Sequence, residues 1–79
     1  MNKLFEVILR HDGGESKFVN CSIENAIGII QTDLFMRGMP EQFTVPIFWD
    51  IVFNRLDGLK IDLYDLVNTG QISIKKTYR

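Results

Sequence analysis

The sequence predicts a small two-layer α+β domain, in which an antiparallel sheet carries two main helices on one face. Three observations lead to this fold class. The N-terminal segment has the pattern of a β-hairpin, the middle of the chain repeats apolar residues at helical spacing, and QISIKKT near the C-terminus alternates like a strand. A chain of 79 residues has room for one domain, so we expect a single domain, residues 1–79, with the order β-β-α-α-(short α)-β.

The hairpin begins with residues 3–10, KLFEVILR, which carry apolar side chains on both faces of a strand. This pattern indicates a strand that is covered at least partly on both sides. Asp12 and Gly13 form a typical two-residue turn, because both positions tolerate positive φ. Residues 17–21, KFVNC, then return as the second strand.

The first helix is predicted over residues 23–37. Ser22 is a good N-cap, and Gly38 provides a C′ residue that ends the helix before Pro40. Gly28 in its interior costs about 1 kcal/mol relative to alanine. The apolar positions recur at spacings of three and four, as expected for a helix that buries one stripe: Ile23, Ala26, Ile27, Ile30 and Leu34.

A second helix is predicted between an N-cap at Thr44 and a stop at Gly58, with Pro46 in its first turn. The β-branched and aromatic residues of 45–53, VPIFWDIVF, also suit a strand, but the helical period and the two end signals favour the helix. Its apolar stripe consists of Val45, Phe48, Trp49, Val52 and Leu56.

The segment LYDLVNTG has two interpretations, a short helix over residues 63–68 or one arm of a hairpin that turns at NTG. In the hairpin, the alternation breaks at Asp65, which points inward unless a bulge shifts the register. In the helix, Asp62 caps the N-terminus and Gly70 closes the C-terminus in a left-handed conformation. We therefore expect the helix, followed by a strand over residues 71–77.

Composition narrows the function classes. No apolar run approaches the ~20 residues of a membrane span, and a single cysteine excludes an internal disulfide, so we expect a cytoplasmic protein. The sequence contains no zinc, calcium or phosphate-loop motif, so we expect no metal and no cofactor. Cys21 and His11 form the only conceivable nucleophile and base pair, and free cysteine is usually a small buried hydrophobe. We therefore expect a protein that is not an enzyme.

An excess of apolar residues around the second helix points to a protein-binding surface, because methionine and aromatic residues are enriched where proteins meet. The same residues also fit an ordinary core or a homodimer seam. Acidic residues next to them suggest a negative face that docks on a basic groove of a partner. The candidate partner-binding residues are Phe35, Met36, Met39, Phe43, Trp49, Asp50 and Asp57.

The function expected from these features is a small non-enzymatic protein-binding module. One form of such a module is a stoichiometric inhibitor of a larger enzyme, like those that phages and mobile elements direct against host polymerases or defence nucleases. The alternative is a small nucleic-acid-binding protein that uses the basic C-terminal tail, Lys75, Lys76, Tyr78 and Arg79. The lysines of the tail also have another explanation, since lysines on an edge strand discourage aggregation. The rest of the chain is acidic, because residues 1–70 carry six Lys or Arg against ten Asp or Glu, and this disfavours binding to nucleic acid.

Overall fold

A three-stranded antiparallel sheet with helices packed against it confirms the predicted α+β fold class. The structure is a computed structural model, and it describes residues 3–39, 44–54 and 62–78. The elements in chain order are β1 Lys3–His11, β2 Gly14–Cys21, α1 Ile23–Met36, α2 Val45–Trp49, a π-helical turn Asp50–Asn54, α3 Asp62–Asn68 and β3 Ile72–Tyr78.

Strand β1 lies in the centre of the sheet, between β2 and β3, and pairs antiparallel with both. Its alternate residues Phe5, Val7 and Leu9 are buried against the helices, whereas Leu4 and Ile8 on the other face are partly exposed. The predicted cover of both faces is therefore found in part: the face towards the helices is buried, and on the other face Ile8 is partly covered with Lys17 and Ser73 beside it in register.

The hairpin turns at Asp12 and Gly13, as predicted, but with a different backbone conformation. Among the described residues of this hairpin, positive φ occurs at Gly14 (140°) and Asn20 (56°). Asp12 and Gly13 were predicted as turn residues because they tolerate positive φ, but neither has it. Strand β2 is also longer than the predicted 17–21, because Gly14 already pairs with His11.

Helix α1 begins and ends where the capping residues predicted. The Ser22 hydroxyl accepts a hydrogen bond from the Asn25 backbone N–H at 3.2 Å. At the other end Gly38 has φ 78°, and the Met39 N–H donates to the Leu34 carbonyl at 2.8 Å. This i→i−5 bond satisfies a carbonyl that has no partner within the helix, so the glycine stops α1 without leaving that group unpaired.

The predicted second helix forms, with Thr44 as its N-cap, but it changes character after Trp49. The chain continues as a π-helical turn, in which i→i+5 bonds replace the α-helical pattern. Among the side chains of this segment that the structure describes, Phe48 and Ile51 are buried, whereas Ile51 stood outside the predicted α-helical stripe. The predicted stop at Gly58 lies outside the described residues.

The helical interpretation of LYDLVNTG is confirmed. Helix α3 is followed by Gly70 at φ 83°, and the Gln71 N–H donates to the Leu66 carbonyl at 2.9 Å. This left-handed cap leads the chain into β3. Strand β3 pairs with β1 in a register that runs from Lys3 opposite Tyr78 to Leu9 opposite Ile72. The buried core lies between sheet and helices and consists of Phe5, Val7, Leu9, Cys21, Ala26, Ile30, Leu34, Phe48, Ile51, Leu63, Leu66 and Ile72.

Candidate protein-binding surface

A groove of about 560 Å³ lies between α1 and the edge strand β2. It forms because α1 makes most of its sheet contacts with the central strand β1, which leaves the helix-facing side of β2 only partly covered. The polar rim includes Glu24, Asn25 and Thr32 from α1. The apolar lining consists of Leu9, Phe18, Val19, Cys21, Ile29 and Met36.

Two apolar side chains show how open this groove is. Phe18 lies opposite Val7, whose side chain is fully buried, and yet Phe18 is 38% exposed. Met36, in the last turn of α1, is 77% exposed. Gly28 lies in the helical wall of the groove, and a Cβ added there meets no atom within 4 Å. The missing side chain at Gly28 therefore widens the groove.

A β-bulge shapes the end of the groove next to Cys21. Between the pairs Val7–Phe18 and Phe5–Cys21, strand β2 has one more residue than β1, and Asn20 adopts φ 56°. Successive residues of a regular strand point to opposite faces, but a bulge re-aims the side chains around it. Phe18 and the adjacent Val19 accordingly both line the groove.

The structure does not gather the predicted partner-binding residues into one patch. Phe35 and Met36 are exposed, at 69% and 77%, and Met36 reaches the groove. Met39 and Trp49 instead pack against the core, and Asp50 is half-buried. Their role in binding stays a prediction. The remaining two predicted residues, Phe43 and Asp57, lie outside the described residues.

Trp49 is held from two sides. Its ring makes an edge-on contact with Phe5, with 6.0 Å between centroids, and the Lys76 ammonium lies 4.6 Å from the ring centroid. Lys75 is exposed on the opposite face of the sheet, where it pairs in register with Glu6. Adjacent strand residues point to opposite faces, so the two lysines do not form one basic patch.

Of the other two residues in the predicted nucleic-acid site, Tyr78 ends β3 with its side chain undescribed, and Arg79 lies outside the described residues.

A buried carboxylate that the sequence did not single out ties the hairpin to α1. Asp33 is 6% exposed, and its two oxygens lie 2.6 Å from Arg37 Nε and 3.1 Å from His11 Nε2. Arg37 also donates to the Arg10 carbonyl at 2.8 Å and to Gln71 Oε1 at 3.0 Å. These contacts, the Asp33 clamp, join the end of β1, the end of α1 and the start of β3.

The only nucleophile and base pair that the sequence offered is separated in the fold. His11 pairs with Gly14 beside the turn, whereas Cys21 pairs with Phe5 at the far end of the hairpin. Phe5 and His11 are six positions apart along β1, which corresponds to about 20 Å. The Cys21 thiol is buried and donates to the Val19 carbonyl at 3.7 Å. Across the described ranges, no group of three His, Cys, Asp or Glu side chains is placed to hold a metal ion.

Comparison with protein-family models, with curated proteins and with solved structures finds no match for this chain. No helix among residues 3–39, 44–54 and 62–78 is long and apolar enough to cross a membrane.

Proposed function

We propose that this chain is a non-enzymatic protein-binding module and that its contact surface is the groove between α1 and β2. The observation that supports this most directly is the exposure of apolar side chains along the groove, with Phe18, Val19 and Met36 at 38%, 55% and 77%. Exposed apolar residues scattered singly are ordinary on any protein, but these three line one depression.

The position of the groove beside an edge strand adds a second attraction for a partner. In the described sheet β2 has a strand on one side only, so its outer backbone groups are open to pairing. A partner segment that pairs with this edge gains main-chain hydrogen bonds and places alternate side chains towards Phe18 and Met36. Within this proposal, a stoichiometric inhibitor of a larger enzyme suits a domain of 79 residues, because such a domain acts by occupying a surface of its partner.

The test is capture of partners from the native host with nuclease-treated lysate and tagged protein, comparing wild type with Met36→Asp. We expect a stoichiometric partner whose retention falls at least about tenfold in the variant, because a carboxylate in an apolar contact is left desolvated. Val45→Asp is the matched control. Val45 is 42% exposed at the start of α2, where a negative charge is favourable, so the control should keep both fold and partner.

Equal retention by wild type, Met36→Asp and Val45→Asp contradicts the proposed surface. A set of partners that disappears with nuclease contradicts the proposed function and favours the nucleic-acid alternative. Circular dichroism of each variant shows that a loss of binding is not a loss of fold. Met36 is 77% exposed, so we expect its substitution to leave the fold intact.

A further inference from the structure

The backbone of β2 offers a defined set of hydrogen-bonding groups to the outside. The Arg10 N–H donates to the Gln71 carbonyl at 2.8 Å, so the backbone groups of Arg10 point towards the β3 side of the sheet. Backbone groups alternate in direction along an antiparallel strand. Leu9 and Val7 therefore direct theirs to the other side, towards β2.

Ser16 and Phe18 lie opposite Leu9 and Val7, so the backbone N–H and C=O groups of these two β2 residues form hydrogen bonds with β1. Glu15 and the residue two positions later, Lys17, direct their N–H and C=O groups away from β1. In the described sheet that direction is the free edge. Their side chains are 58% and 57% exposed.

We propose that a second copy of this chain pairs with this edge, β2 against β2 and antiparallel, about a two-fold axis at Ser16. The inference rests on the proposed function, in that it names a partner for the same surface. An antiparallel strand that suits the edge needs a base opposite Glu15 and an acid opposite Lys17. Read from its N-terminus, such a strand has the pattern acid, any residue, base. The segment Glu15-Ser16-Lys17 of β2 has this pattern itself.

In this register Glu15 of each copy lies opposite Lys17 of the other. The backbone N–H and C=O groups of both residues point towards the free edge, where they can bond the second copy. Each such pair exchanges two backbone hydrogen bonds, so the seam has four. Phe18 lies opposite Gly14 of the second copy, where an aromatic ring covers a glycine that has no side chain of its own. An axis at Lys17 instead places two lysines directly opposite each other, which is unfavourable.

The charges of the seam already have partners on one side. Arg10 Nε lies 3.7 Å from Glu15, and Glu6 lies 3.8 Å from Lys17 Nζ. The second copy places its Lys17 on the other side of Glu15 and its Glu15 on the other side of Lys17. Positive and negative side chains then alternate in rows that cross both sheets. The bulge at Asn20 ends the regular strand, so the seam spans Gly14 to Phe18.

The helices leave room for this pairing. Strands lie about 4.8 Å apart, which places β1 about 14 Å from its counterpart across the seam. Because α1 makes most of its sheet contacts with β1, the two α1 helices of the proposed dimer lie at a similar distance, which exceeds the roughly 8–10 Å of helices in direct contact. The space between the two helices is about one layer of side chains wide, and Phe18 and Met36 line the groove on this side of α1. The second copy therefore covers the apolar groove.

The test measures mass by sedimentation equilibrium over a concentration series at low salt, on wild type and on charge variants of the full chain. Wild type should approach twice the monomer mass of 9.2 kDa as concentration rises. Glu15→Lys and Lys17→Glu should each weaken self-association at least about tenfold, because both symmetry-related pairs change from attraction to repulsion. High salt should also weaken the wild-type dimer.

Two further samples make the test specific for this register. A one-to-one mixture of Glu15→Lys with Lys17→Glu should dimerise again, because every pair across that seam is again of opposite sign. The double variant Glu15→Lys/Lys17→Glu should dimerise with itself for the same reason. Wild type that stays monomeric throughout overturns the proposal, as do single variants that associate as well as wild type or a mixture that stays monomeric.

The outcome is separable from that of the proposed function. A monomeric wild type whose host partner is still lost with Met36→Asp overturns the second copy as a partner and keeps the groove as a binding surface. A dimer that follows the charge rules, together with a host partner that ignores Met36→Asp, supports the dimer and overturns the groove as the surface for other proteins.

Discussion

Asp33 is the buried carboxylate of the Asp33 clamp, and its replacement by alanine has a cost that the structure defines. The variant removes the acceptor of Arg37 Nε at 2.6 Å and of His11 Nε2 at 3.1 Å. Breaking a buried ion pair costs about 3–5 kcal/mol, because one charge stays buried without its partner. Arg37 is 15% exposed, but it keeps the Arg10 carbonyl and Gln71 Oε1 as acceptors, and His11 is 46% exposed. We therefore expect the lower end, about 3 kcal/mol.

The assay is urea or thermal unfolding followed by circular dichroism. A loss of about 3 kcal/mol is a large part of the roughly 4–12 kcal/mol expected for this chain length. It corresponds to a fall in Tm of about 12–24 °C. Asp33→Asn keeps the shape and one acceptor oxygen, so it should cost about half as much. Glu24→Ala is the control, an exposed acid in the first turn of the same helix that should cost about 0.5 kcal/mol. If Asp33→Ala and Glu24→Ala cost the same, the reasoning about the clamp is refuted.

Two other pairs of substitutions test the fold by the same unfolding assay. Gly28→Ala should stabilise the protein by about 1 kcal/mol, because the site is in a helix and a Cβ there meets no atom within 4 Å. Gly38→Ala should destabilise it by about 1–2 kcal/mol, because φ is 78°; equal signs for the two glycines contradict the assignment of the α1 cap. Phe48→Ala should cost about 3–5 kcal/mol, since that side chain is fully buried. Phe35→Ala, at 69% exposure, should cost less than about 0.5 kcal/mol, and similar losses for the two contradict the assigned core.

The parts of the fold that sequence could predict are those fixed by local chemistry. Ser22 and Thr44 cap their helices through a hydroxyl a few atoms from the N–H groups that it satisfies. Gly38 and Gly70 end helices because a left-handed residue is needed there and glycine adopts that conformation at low cost. The start and end of each of these helices can be predicted without knowing which other element packs against it. The order of helices and strands was therefore accessible without a structure.

The features that sequence could not predict depend on which element covers which. Asp33 and Arg37 are four residues apart, which is the spacing of an exposed pair on a helix surface. Burial arises because His11 and Gln71 come from distant parts of the chain and close over the pair. In the same way, a strand that contains Phe18 gives no sign in its own sequence that α1 will leave its inner face half uncovered.

The charges of β2 favour an edge that pairs with strands of matching charge, a selective edge, over an edge that blocks all strand pairing. An edge strand is normally blunted by lysine or by a bulge, and β2 has both, at Lys17 and Asn20. A row of lysines repels any strand that places bases opposite it, including a copy of itself, whereas Glu15 and Lys17 attract a strand that places a base opposite Glu15 and an acid opposite Lys17. The alternation thus favours strands that place a base opposite Glu15 and an acid opposite Lys17 over strands that place like charges there, and an antiparallel copy of β2 supplies the favoured arrangement. Glu15→Lys should convert the selective edge into a repelling one. If that variant associates as strongly as wild type, the alternation has no such role.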